Sequence, residues 1–242
     1  MSTQNLLTLE GVHTHIGAYH ILHGVDLAVP RGQLTMLLGR NGAGKTTTLR
    51  TIMGLWHASQ GRVRFGDKDI TAMQTPQIAG LGIAYVPESM GIFSDLTVKE
   101  NMLLAARGAR NAAEIDDTRL KWIFKLFPAV EKFWNHPAGK LSGGQKQMLA
   151  VSRAIVEPRE LLLIDEPSKG LAPVMINNMI DAFAELKASG VTILLVEQNI
   201  NFAQRLGDTV AVMDNGRVVH SGSMAAFSAD AQLQQSLLGL AL

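Results

Sequence analysis

The sequence predicts an α/β fold built around a buried, mostly parallel sheet, and three observations lead there. Three short apolar runs, Leu34 to Leu38, Leu161 to Ile164 and Ile193 to Val196, are continuous rather than alternating, the pattern of strands covered on both faces. Each run ends in Gly or polar residues and leads into a helical stretch, the strand-then-helix rhythm of doubly wound and phosphate-loop architectures. Between residues 88 and 158 the strand-like runs vanish, so a mostly helical insert is expected there.

Composition narrows the class. The 242 residues are 47% hydrophobic and 18% charged, enough to bury a sizeable core and far from the disordered signature. With 22 basic against 21 acidic side chains, the formal charge of +1 offers no footprint for a nucleic-acid binder, which must neutralise many phosphates. The absence of cysteine removes disulfides, thiolate zinc sites and Cys nucleophiles, and it suits a reducing compartment. The opening Met1 to Asn5 lacks the basic start of a secretory signal, so no export is expected. The strand-like runs at Leu161 to Ile164 and Ile193 to Val196 are far shorter than the roughly 20 residues that span a bilayer.

The first run feeds 'GRNGAGKTT', Gly39, Arg40, Asn41, Gly42, Ala43, Gly44, Lys45, Thr46 and Thr47, which matches G-x-x-x-x-G-K-[ST] directly after a strand and before a helix. Glycines let backbone N–H groups converge on phosphate oxygens, and the following helix adds its positive end. Lys45 is then expected to reach the outer phosphates and the Thr46 hydroxyl to ligate magnesium. The Thr-rich helix that follows has mediocre intrinsic propensity, so packing and phosphate binding must stabilise it. In the insert, 'DDTRLKWIFKLF' puts Leu120, Ile123, Phe124 and Phe127 on one helical face and leaves Trp122 and Leu126 off it. The second run, 'LLLIDEP', ends in Asp165 and Glu166 at the sheet edge where the first delivers its loop. Adjacent carboxylates there can divide labour, Asp165 serving metal and Glu166 serving water. The tail carries Leu233, Leu237 and Leu238 at helical spacing.

About twenty residues before those carboxylates lies 'LSGGQKQMLAVSRAI', and with the phosphate loop it resembles the ATP-binding cassette family of transporter subunits. The stretches 'YVPES', 'IFSDLTVKENM', 'IDEPSKGLAP' and 'ILLVEQN' are similar to the LivF-type ATPase of branched-chain amino acid importers, with urea and short-amide importer ATPases as close relatives. The resemblance implies a single cassette over 1–242: a RecA-like core with an N-terminal antiparallel β region from 1–87 and 159–242, and a helical subdomain over 88–158. It implies ATP and Mg2+ as ligands. It also implies that Ser142, Gly143, Gly144 and Gln145 form a helix N-terminus aimed at the γ-phosphate of ATP held by a second cassette. The implied partners are a LivG-type cassette (or a second copy in isolation), two membrane permeases and, indirectly, a periplasmic binding protein. The implied location is the cytoplasmic face of the inner membrane. A soluble ABC ATPase acting on DNA or ribosomes would need paired cassettes, a coiled-coil insertion or a basic surface, none of which the sequence displays.

Three single positions and one short segment depart from the common family pattern. Glu88 stands where most cassettes have Gln, and as a metal ligand or water holder it adds negative charge beside phosphates. Gln198 stands where most have His; it donates a hydrogen bond without carrying charge. Ile16, 29 residues before Lys45, replaces the adenine-stacking aromatic, and it is expected to contact adenine while Tyr19 packs in the strand. Ser168-Lys169-Gly170-Leu171 replaces Ser-Ala-Leu-Asp, and no role follows for Lys169 from sequence. His13 and His15 fall on one strand face with His20 and His23 nearby, expected to be surface or packing residues without a metal motif.

Overall fold

The computed structural model describes residues 4–106 and 114–239. Two sheets organise it. The larger has six strands in the order β10 (Arg217–Ser223), β9 (Thr209–Asp214), β3 (Leu34–Gly39), β8 (Thr192–Glu197), β7 (Leu161–Asp165), β6 (Ile83–Val86). All neighbours pair in parallel except β10 with β9. The three apolar runs are β3, β7 and β8, and every residue of these strands is buried. Strand alternation sends their side chains to two cores. Leu162, Ile164, Ile193 and Leu195 join one, while Leu161, Leu163, Leu194 and Val196 join the other.

The two faces are covered differently. The first packs against helices, including α6 (Gly143–Ile155), α7 (Pro173–Ala188) and α8 (Ile200–Leu206). The second packs against α1 (Lys45–Ile52) and the inner face of a four-stranded antiparallel sheet, β2 (Tyr19–Pro30), β1 (Asn5–Ile16), β4 (Ala58–Phe65), β5 (Lys68–Asp69). A helix-covered sheet is thus only half of the arrangement; the other cover is a second sheet. On the β1–β2 hairpin His13, His15, His20 and His23 form a contiguous array, with His15 stacked on His20 at 4.2 Å and 9°.

Between β6 and β7 the described residues form helices and connecting turns: α3 (Val98–Ala105), α4 (Asp117–Leu126), α5 (Pro128–Lys132) and α6, with a short 3-10 turn at Ala138–Lys140; residues 107–113 of this stretch lie outside those described. Thr97 caps α3 by a reciprocal pair, its hydroxyl accepting the Glu100 N–H and its own N–H donating to Glu100 Oε2. The expected face of α4 packs on the core: Ile123 and Phe127 are buried, and Leu120 and Phe124 lie half-buried against the same cluster. Leu126, off that stripe, is buried as well, and the chain turns at Phe127 into α5. Trp122 is covered by the Arg119 guanidinium, 4.5 Å from its ring, and Arg119 in turn donates to the carbonyls of Ile155 and Glu157. Phe127 is fully buried, so Phe127→Ala should cost about 3–5 kcal/mol, read as a lower urea midpoint at unchanged slope.

Candidate nucleotide-binding site

Sheet register assembles the site. Leu38 of β3 pairs with Glu197 of β8, and Asp165 of β7 pairs with Val196 of β8, so three adjacent parallel strands end together. Their following loops therefore carry Gly39 to Lys45, Gln198 and Glu166 to a common edge.

The phosphate loop needs its glycines for shape and space. Gly39, Gly42 and Gly44 have φ of 149°, 79° and 104°. A Cβ on Gly39 would lie 2.3 Å from the Met213 carbonyl oxygen, and one on Gly44 2.9 Å from Leu22. Gly44 caps α1 without any side-chain hydrogen bond, leaving the helix's first amides turned to the loop. Lys45 is buried, and its ammonium donates to the carbonyls of Gly39 at 2.9 Å and Arg40 at 3.0 Å. Burial pulls its pKa down, opposed by the nearby charges of Glu166 and Asp165.

Asp165 is fully buried and accepts from Thr46 Oγ1 at 3.1 Å and from the Tyr85 hydroxyl at 3.3 Å. Burial pushes its carboxyl up, with Glu166 and Glu88 adding repulsion and the Thr46 and Tyr85 hydrogen bonds opposing. Tyr85 is pushed up to about 12, by burial first and then by Asp165. Glu166 takes a left-handed backbone, φ 48°, unusual for a non-glycine residue. Its N–H donates to the Val196 carbonyl, Gln198 Nε2 donates to its Oε1 at 2.5 Å, and Lys45 and Lys169 lie 3.8 and 3.3 Å from its oxygens. Gln198 Nε2 also donates to Asn41 Oδ1 at 2.7 Å, tying the loop after β8 to the phosphate loop. Beneath them the buried Glu197 carboxylate accepts the N–H groups of Ser168, Gln198 and Asn199. Lys169 bonds Glu88 at 2.5 Å, and its hydrogen bonds to Glu88 and Glu166 raise its pKa.

A cavity of about 370 Å³ opens on this surface, lined by Ile21, Asn41, Gly42, Gly44, Lys45, Thr46, Thr47, Glu88, Glu166 and Lys169. Gly39, Arg40 and Gln198 line a neighbouring hollow with Leu238, and the Arg40 guanidinium sits where a Cβ on Gly239 would stand. Asp165 is joined to the cavity through Thr46. Ala43 is buried behind it, donating to Arg40 and accepting from Gly216. Ser142, Gly143, Gly144 and Gln145 are not brought to the cavity. Ser142 and Gln145 cap α6 reciprocally, Ser142 and Gly143 are exposed, and Gly144 is close against Met175. Ile16 is not among the cavity's lining residues; Ile21 is. Tyr19 does not pack in the strand: it is 75% exposed at the hairpin turn. Sequence reasoning missed Tyr85, Glu197, Ile21 and the pairing of Lys169. The available signals were the place of Tyr85 at the end of 'IAYV' and of Glu197 in 'LLVEQN'.

The Thr46 hydroxyl and Asp165 carboxylate form a hard-oxygen pair beside the loop, the donor chemistry that suits a magnesium ion. Among the described residues no three His, Asp or Glu side chains are grouped to hold a metal unaided. A cation here would complete its shell with phosphate oxygens and water.

The ABC transporter family model matches residues 22–169. The high-affinity branched-chain amino acid transport ATP-binding protein BraG of Pseudomonas aeruginosa is 37% identical over 97% of this chain and 100% of its own. The probable branched-chain amino acid transport ATP-binding protein LivF of Archaeoglobus fulgidus is 36% identical over 84% of this chain and 86% of its own. Among solved structures, an ABC transporter ATP-binding cassette in its ADP conformation superposes with TM-score 0.83 at 26% identity, covering 98% of this chain and all of that one. A bacterial ABC transporter cassette solved as a dimer superposes with TM-score 0.80 at 25% identity, covering 90% and 98%. With its phosphate loop, paired acids and two-sheet core matched along nearly the whole length, the chain belongs to the ABC transporter family, as an ATP-hydrolysing cassette.

Proposed function

We propose that this cassette powers uptake of branched-chain amino acids, binding ATP with Mg2+ and hydrolysing it while paired with a second cassette beneath two membrane permeases. One observation carries the catalytic part: the Glu166 carboxylate is held at the phosphate cavity between the ammonium of Lys45 and the amide of Gln198. In this reading the loop amides and Lys45 grip the β- and γ-phosphates, and Lys45 exchanges its loop carbonyls for phosphate oxygens. Thr46 and Asp165 would hold Mg2+, which supplies charge neutralisation on the phosphates, and Glu88 stands across the cavity as a further oxygen donor. Glu166 orients the attacking water and accepts its proton. Gln198, bonded to both Asn41 and Glu166, holds that carboxylate in register with the phosphate loop.

Residues 1–87 and 159–242 act as the ATP-binding core and 88–158 as the helical subdomain. The exposed, self-capped N-terminus of α6 at Ser142, Gly143, Gly144 and Gln145 is suited to meet the γ-phosphate of a nucleotide on a partner cassette, a LivG-type chain or a second copy. Ile16 would border the adenine. A cavity of about 800 Å³ between the core and the helical stretch fits a permease segment. Its walls include the exposed Leu55 and Leu104, with Trp56 Nε1 and Arg153 Nε buried and unpartnered among the described residues. No described helix is long and apolar enough to cross a membrane. In this reading the chain works at the cytoplasmic face of the inner membrane, and a periplasmic binding protein delivers solute to the permeases.

Glu166→Gln should lower steady-state hydrolysis by at least about a hundredfold while leaving ATP affinity close to wild type, and full turnover would refute the role. Lys45→Ala should weaken ATP binding itself by at least tenfold, because a buried cation facing the phosphates is lost. Reconstituted with its permeases and binding protein in vesicles, the chain should drive ATP-dependent leucine uptake. Uptake of urea or short amides alone would overturn the substrate assignment.

A further inference from the structure

Lys169 is the residue of this site that the nucleotide reading leaves without a task. It sits on the turn after Glu166, and its ammonium bridges two loops: 2.5 Å to Glu88 Oε1 and 3.3 Å to Glu166 Oε2. As an exposed ion pair this contact adds little to stability, since the Lys169 and Glu88 side chains are 56% and 46% accessible. Its leverage lies in what the cavity binds. Glu88, Lys169 and Glu166 line the same space as Lys45 and the phosphate loop. Without the ammonium, the carboxylates of Glu88, Asp165 and Glu166 would face an incoming triphosphate with Lys45 as the one cationic side chain among the described lining residues.

We propose that Lys169 is a positioning and charge-balancing residue of the nucleotide site: by bridging Glu88 and Glu166 it cancels the charge of Glu88 and sets how strongly nucleotide binding depends on a divalent cation. The proposal rests on the ATP-binding reading. The physical argument is Coulombic. Glu88 and Lys169 together add no net charge at the cavity mouth, so a polyanion is repelled no more than by a neutral residue pair. Removing Lys169 uncovers Glu88 and frees one oxygen of Glu166. Repulsion of metal-free ATP then rises, while a bound cation restores the balance. Because Glu88 and Lys169 act as a unit, deleting both charges should leave the field close to that of the wild type.

The test is equilibrium titration with a fluorescent ATP analogue, with EDTA and with saturating magnesium, on the full chain. Lys169→Met, which keeps the aliphatic stem, should weaken metal-free binding by roughly tenfold and increase the magnesium dependence by a similar factor. Lys169→Arg should stay near wild type, and the double variant Glu88→Gln/Lys169→Met should recover most of the lost metal-free affinity. A purely structural role would predict Lys169→Arg and the double variant to be as impaired as Lys169→Met. The charge-reversed pair, Lys169→Glu alone against Glu88→Lys/Lys169→Glu, gives a second independent reading, with loss in the first and recovery in the second. Unchanged metal-free affinity in Lys169→Met, or no recovery in either double variant, overturns the proposal. Absence of ATP binding in the wild-type chain would instead overturn the nucleotide reading beneath it.

Discussion

The register of three parallel strands is the constraint on which the rest of the molecule depends. β3, β8 and β7 lie side by side with Leu38 opposite Glu197 and Val196 opposite Asp165. A shift of one residue in either ladder would send each strand's side chains into the opposite core and carry Glu166 and Gln198 away from the phosphate loop. The two hydrophobic cores resist any such shift, because alternate residues of each strand are committed to opposite faces. The helices and the antiparallel sheet serve the site by making that register costly to change.

Upon this frame three carboxylates are held by different kinds of partner. Glu197, buried, accepts three backbone N–H groups and fixes the turns that bear Ser168 and Gln198. Asp165, also buried, accepts from the hydroxyls of Thr46 and Tyr85 beside the phosphate loop, and burial raises its pKa as it does that of Glu197. Glu166, nearer the opening, sits on a strained backbone between Lys45, Gln198 and Lys169. The three carboxylates are thus told apart by their partners: backbone amides for Glu197, hydroxyls beside the phosphate loop for Asp165, and ammonium and amide groups at the cavity for Glu166.

What could be read in the sequence was local. Strands β3, β7 and β8 were legible because burial on both faces leaves a continuous apolar run, and the phosphate loop because its chemistry needs contiguous glycines followed by Lys and Thr. What depended on distant partners was not. Lys169 meets Glu88 across 81 positions, Tyr85 meets Asp165 across 80, and Gln198 meets Asn41 across 157. Periodicity gives the face of α4 that meets the core, but not that Leu126 and Trp122 off that face also find partners on it, because those neighbours lie elsewhere in the chain. Tyr19, expected to pack in the strand, stands instead at the hairpin end opposite Ile16 and is exposed, because the position of the turn decides its surroundings.

In the proposed arrangement one chain carries two separate half-sites, a phosphate cavity and an exposed α6 N-terminus that completes the cavity of another cassette. Amide hydrogen exchange with ATP, measured across protein concentration, addresses it directly. Exchange should slow over Gly39 to Thr47 at every concentration, and over Ser142 to Gln145 only when cassettes associate. Protection of Ser142 to Gln145 in the isolated monomer, or none over Gly39 to Thr47, would contradict it.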